Sequence, residues 1–202
     1  SRTPVMQYRK PTAEEFDKKE NENNANIQLN LEKSLKETKD LQDDMKRLKE
    51  KLMQEKKAEW QDKKEIEKLL ERHQSLQMQM QESLEKFQEN IQNQEEHSKP
   101  SEELLEKQEK IQELFEELMS EEMKELMEKM QELLKQLEKE GAIDMMEQME
   151  SNDEELEKEL DRMLELFKQL QVEAEMEQAI EKLQELAEKQ DQLGDETEEN
   201  QK

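Results

Sequence analysis

The sequence predicts an all-α protein: long helices forming an antiparallel helical hairpin or bundle with coiled-coil character. Three observations lead there. Of 202 residues, 44% are charged, only 30% hydrophobic and 3% aromatic, whereas a globular domain of this length has nearer half its residues apolar and about a quarter charged. A thick layered core is therefore out of reach, which leaves disorder or long helices carrying a narrow apolar stripe. Glu, Lys, Gln, Leu and Met dominate, all strong helix formers. Gly occurs twice and Pro three times, too few breakers for a linker or a loop-rich fold, and there is too little β-branched or aromatic material for a sheet.

Residues 1–12 read as an extended entry segment leaving a preceding domain. They are basic, contain Pro4 and Pro11 and the single Tyr8, and the chain reads as a piece of a longer protein. Thr12 with Glu15 three residues on is a capping box, so a helix starts there. Residues 13–97 form a long helix or a helix pair. Its stripe runs Ile27, Leu31, Leu35, then Leu41, Met45, Leu48 and Leu52 at the 4-3-4 spacing of a coiled-coil seam. The stripe lapses over 54–65, which places a hinge or reversal near 57–62, with Asp62 capping the new start. It resumes with Ile66, Leu69, His73, Leu76, Met80, Leu84, Phe87 and Ile91. The two steps of four around Met80 resemble an inserted stutter.

Pro100 breaks the helix, and Ser101 caps the next, with Glu102 and Glu103 at its positive dipole end. From 101 to 192 the pattern predicts an antiparallel hairpin. Its first arm ends at Gly141, a short connector spans 141–151, and Ser151–Glu154 and Asn152–Glu155 form overlapping capping boxes for the second arm. That arm carries Leu156, Leu160, Met163, Phe167, Leu170, Ala174, Ile180, Leu183 and Ala187. Gly194 ends it, and 193–202 read as a disordered acidic tail.

The net charge of −25 argues against nucleic acid, which needs concentrated Lys and Arg, and against docking on anionic lipid. Cys is absent, which removes disulfides and Cys metal sites. No stretch approaches the 18 consecutive apolar residues of a membrane span. No phosphate loop, nucleophile elbow, calcium loop or histidine pair at metal-binding spacing occurs. His73 falls on the seam, and the acidic pairs Asp43–Asp44 and Glu102–Glu103 are of a kind expected by chance on so acidic a surface. No catalytic, cofactor-binding or metal residue is predicted, and the chain is not expected to be an enzyme.

Methionine is the unusual signal, with 14 in all. Met119, Met123, Met127 and Met130 share one helix face. They either fill the hairpin core or form a flexible groove for a hydrophobic peptide or partner helix. Trp60, in the most charged stretch, is either a lone anchor under Lys stems or a partner contact. Met119, Met123, Met127, Met130 and Trp60 are thus the candidate partner-binding residues.

The punctuation is less generic than the composition. Glu59-Trp60-Gln61-Asp62-Lys63-Lys64, Ser101-Glu102-Glu103-Leu104, Ser120-Glu121-Glu122-Met123 and Asn152-Asp153-Glu154-Glu155-Leu156 follow one another. In this the chain resembles, over nearly its whole length, the central helical region of a family of large membrane-anchored bacterial proteins of unknown function. Members carry a membrane helix near the N-terminus and β-rich domains before this segment. The resemblance implies a cell-envelope protein with this part outside the bilayer, on the periplasmic side, and supplies no activity and no functional residues. The expected role is a non-catalytic scaffold or spacer working through helix packing, with a protein partner or self-association and no membrane insertion of its own. The alternatives are a binding module built on the Met face and the stalk of a larger motor or ATPase assembly.

Overall fold

A computed structural model describes residues 12–55, 59–97, 100–118, 121–136 and 139–199. The entry segment 1–11, the centre of the expected hinge at 56–58, Met119 and the last three residues lie outside them. Within the described residues every regular element is an α-helix: α1 (Ala13–Gln54), α2 (Trp60–His97), α3 (Glu102–Leu118), α4 (Glu121–Gln136) and α5 (Lys139–Glu199).

The helix starts are set locally. At α1 the Glu15 amide donates to Thr12 Oγ1 at 3.3 Å and the Thr12 amide donates to the Glu15 carboxylate at 2.9 Å, the capping box read from the sequence. The Leu104 amide donates to Ser101 Oγ at 3.2 Å, which caps α3. The Glu59 amide donates to Asp62 Oδ2 at 2.7 Å and Lys51 pairs with the same carboxylate at 2.6 Å. α2 thus starts two residues before the expected cap: Asp62 lies in its first turn, where it takes up the Glu59 amide and ties the start of α2 to the end of α1.

The helices close a four-membered cross-section. α1 packs against α2 and α5, while α3 and α4, end to end, pack against α5 on one side and α2 on the other. Cross-pairs mark the levels: Lys19 with Glu89, Arg72 with Glu37 and Lys51 with Glu65 between α1 and α2; Lys168 with Glu32 and Lys49 with Glu150 between α1 and α5; Lys107 with Glu173 between α3 and α5. Apolar residues form two cores. One gathers Leu41, Met45, Leu48, Leu52, Ile66, Met130, Met146 and Met149; the other gathers Ile27, Leu31, Phe87, Ile111, Phe115, Met163 and Phe167. Phe87 meets the Phe115 and Phe167 rings at 6.0 and 6.1 Å between centroids, spacings favourable for tilted and edge-on aromatic contact.

Three local expectations are corrected. There is no connector at 141–151, because α5 runs unbroken from Lys139 through Gly141, Ser151 and Asn152. Ala142, Met146, Met149, Asp153, Leu156, Leu160, Met163, Phe167 and Leu170 step by 4 and 3 throughout, and all but the half-buried Leu156 are buried. A cap contributes about 1 kcal/mol, and burying one large apolar side chain about 1.5–3 kcal/mol, so the continuous stripe wins. Nor is α2 interrupted by a stutter: Ser83 is buried on the seam, its hydroxyl donating to the Gln79 carbonyl at 2.9 Å and accepting from Asn30 Nδ2 at 3.2 Å. The seam of α2 thus keeps its 4-3 steps from Asp62 to Asn90. Finally, Gly194 does not end α5. A Cβ there would meet nothing within 4 Å, and one exposed helical Gly costs only about 1 kcal/mol, so residues 193–199 stay helical.

Candidate functional site

The methionine face lies inward. Met123 and Met130 are buried in the first core and Met127 packs half-buried against it. Each follows from α4's apolar spacing, and surface so enclosed is not open to a further helix while the bundle is closed. Trp60 is the opposite case: 66% exposed, with Lys64 Nζ 4.1 Å from its ring centre, a cation–π contact at the first turn of α2. The structure does not bring Trp60 together with the methionines. Asp44 of the acidic pair is engaged by Arg72 at 2.6 Å, while Glu102 and Glu103 sit exposed in the first turn of α3.

Where the first apolar core approaches the second lies a polar waist. His73 of α2 and Asp153 of α5 both stand on seam positions, 1% and 0% exposed, with His73 Nε2 3.4 Å from Asp153 Oδ2. Gln42 of α1 reaches in to donate to the Asp153 carbonyl at 2.9 Å and to the Glu157 carboxylate at 3.1 Å. Ser34 and Thr38 continue the layer along α1, with the Thr38 hydroxyl donating to the Ser34 carbonyl at 2.9 Å. Burial, with Arg72 next to it, pulls the His73 pKa down to about 4. Burial, with Glu150 nearby, pushes the Asp153 carboxyl up to about 8. At neutral pH the pair is therefore uncharged imidazole facing protonated acid, the form a dry layer favours. Arg72, next to His73 in the chain, bridges Glu37 and Asp44, both at 2.6 Å.

A cavity of about 530 Å³ opens beside this layer between α2, α5 and the junction of α3 with α4; His73, Gln77, Met80, Met123, Leu156 and Glu159 are on its wall. Sequence reasoning placed His73 on the seam but missed Asp153, which it took for part of a cap. The signal was present: counting back from Leu156 in the 4-3 frame lands on Asp153. Among the described residues no group of three or more His, Asp or Glu side chains is placed to hold a metal ion.

The other feature that stands out is the C-terminal part of α5. Val172, Met176, Ile180, Leu183, Leu186 and Leu193 are all more than half exposed, although the sequence puts Ile180 and Leu183 in a hairpin seam. On the α3 side, the described cross-pairs to α5 end with Lys107–Glu173 and the Ser101 amide–Glu177, so α3 begins where this part of α5 carries on.

Compared with known protein families, with curated proteins and with solved structures, the chain matches none.

Proposed function

We propose that the chain is a non-catalytic scaffold or spacer segment of a bacterial cell-envelope protein, built as two antiparallel helical hairpins with coiled-coil seams. The observation that carries the reading is α5. At about 1.5 Å per residue, its 61 residues make a single strut some 90 Å long, with the other helices laid along part of it. Bundles of this kind hold their ends at a fixed separation because each helix is braced along one seam by its neighbours. The placement in an envelope, outside the bilayer on a membrane-anchored protein, rests on the resemblance of the sequence. It is compatible with the finding that no described helix is long and apolar enough to cross a membrane.

Crosslinking of the full-length protein in its native envelope tests this. The reading predicts that the protein fractionates with membranes and that exposed lysines such as Lys110 and Lys182 crosslink to protein. Recovery in the soluble fraction overturns the envelope assignment. An absence of protein crosslinks along the helices overturns the scaffold role.

A second reading has one observation in its favour. The cavity next to Met80, Met123 and Leu156 offers an apolar wall with polar groups at its edge, which suits a hydrophobic peptide side chain. A peptide that quenches oxidation of Met123 in the folded protein would support it; unchanged oxidation at saturating peptide would remove it.

A further inference from the structure

Past Leu170 the apolar stripe of α5 changes face. Inside the bundle the seam is Leu156, Leu160, Met163, Phe167 and Leu170. A second frame with the same 4-3 steps then runs Val172, Met176, Ala179, Leu183, Leu186, Gln190 and Leu193. The two frames are offset by two residues, about 200° around a helix of 3.6 residues per turn, so the second stripe points away from the bundle. The exposures agree where α5 still has neighbours: Val172 and Met176 are 56% and 59% exposed while Glu173, Ala174, Glu177 and Gln178 are half-buried, and from Ala179 to Gly194 every residue is exposed. An a/d pattern sustained over three heptads is the seam of a two-stranded coiled coil, and no described helix occupies it.

The charges select the occupant. The chain carries −25, but Glu177, Glu181, Glu185 and Glu188 lie on the side of α5 remote from this stripe, by the same 100° count. The positions flanking the stripe hold Glu173, Glu175, Lys182 and Lys189 together with Ile180 and Ala187. Glu173 is already paired with Lys107. A stripe with acids sorted to its back and balanced charge at its edges does not repel a second copy of itself.

We infer that residues 172–190 form an antiparallel coiled coil with the same segment of a second copy of this chain. In the register that matches charge, Met176 packs opposite Leu186, Ala179 opposite Leu183, and Ile180 against Ile180 at the two-fold axis. Glu175 of one copy then faces Lys189 of the other twice over, and Lys182 meeting its own copy is the single like-charge contact at the edges. Opposite-charge pairs at such flanking positions set orientation. The antiparallel arrangement also holds the two acidic bundles at opposite ends of the joined helices, where screening weakens their repulsion.

Sedimentation equilibrium on the whole chain, from sub-micromolar to hundred-micromolar concentration, provides the test. The mass should rise reversibly from that of the 24.5 kDa chain towards twice that value. Peroxide oxidation of Met176 should slow over the same range, while Met53 and Met78, exposed elsewhere, oxidise at constant rates. Leu183→Lys with Leu186→Lys should give a monomer at every concentration; both side chains are exposed, so helicity and thermal melting of the dilute protein should not change. Lys189→Glu should weaken the dimer and Glu175→Lys added to it should restore it. A chain that stays monomeric throughout overturns the inference, as does a dimer that survives the double lysine variant. A dimer indifferent to Lys189→Glu overturns the antiparallel register. If Met176 is protected in the monomer and loses that protection when residues 1–11 are removed, the chain's own basic N-terminal segment is the occupant and the inference fails.

Discussion

The two halves of α5 are made of the same residue types in the same 4-3 spacing, yet one is enclosed by the bundle and the other is open to solvent. Residues 142–170 lie along α1, α3 and α4, and Met146, Met149, Leu160, Met163 and Phe167 are all at most 1% exposed. Residues 172–193 carry a comparable stripe on nearly the opposite face and outrun α3. The difference teaches that heptad spacing specifies a seam but not its occupant: the occupant depends on where the neighbouring helices end and on which face the frame presents. A two-residue change of frame is enough to move the apolar stripe from the enclosed face of α5 to an exposed one without interrupting the helix.

The largest expected effect separates the halves by stability. Phe167→Ala should cost about 3–5 kcal/mol, the usual loss for emptying a well-packed aromatic site. Leu183→Ala should change the unfolding of the dilute monomer by no more than about 0.5 kcal/mol, as for an exposed surface change. Chemical denaturation of both variants checks this, and similar losses at the two sites would erase the distinction.

The second effect belongs to the polar waist, which the buried half has and the projecting half lacks. Asp153 has its folded pKa raised to about 8, so the native state keeps a proton that the unfolded chain releases from about pH 4 upward. Stability from this group is complete at low pH and is lost as pH rises through 8. His73 is depressed to about 4, so the unfolded chain takes up a proton below about pH 6.5 that the native state refuses, and stability falls as pH drops from 6.5 to 4. The two slopes oppose each other below 6.5, leaving Asp153 alone to act above it. From pH 6.5 to 8 the protein should lose on the order of 2 kcal/mol. Asp153→Asn should flatten that decline in melting experiments; an unchanged decline in the variant would show that another group is responsible.

The smallest expected effect concerns the middle of the buried half. Ser151→Ala should be within about 0.5 kcal/mol of neutral, because Ser151 is an exposed residue inside α5. A loss of about 1 kcal/mol is what a true N-cap would give, and finding it by calorimetry would reinstate a helix start at 151–152.

Much of this was legible in the sequence, for identifiable reasons. The caps at Thr12 and Ser101 and the stripes Leu41–Leu52 and Leu156–Leu170 were readable because local hydrogen bonds and apolar spacing act over one or two turns. What escaped were seam positions filled by polar residues. Ser34, Thr38, Ser83 and Asp153 do not appear when only apolar residues are counted, so the α1 stripe seems to lapse after Leu35, α2 seems to stutter and α5 seems to begin at 152. The run from Leu156 to Ala187 is not one register: the seam frame carries on through Leu170 to Ala174 while the outer frame has already begun at Val172 and Met176, an overlap that a count of apolar residues alone does not separate. Met123, Met127 and Met130 do share one side of α4, but whether that side meets solvent or the bundle depends on α5 and α2, which pack against α4 in the fold and lie beyond any local sequence signal.

Methionine itself supplies the most direct probe of the two-faced α5, since Met146, Met149 and Met163 lie on its buried stripe and Met176 on its open one. Peroxide oxidation of the folded protein at high dilution, followed residue by residue by mass spectrometry, should convert Met176 at the rate of Met53 and Met78, and leave Met146, Met149 and Met163 untouched until unfolding. Protection of Met176 equal to that of Met163 in the dilute monomer, or rapid oxidation of Met146 and Met149, would contradict the account.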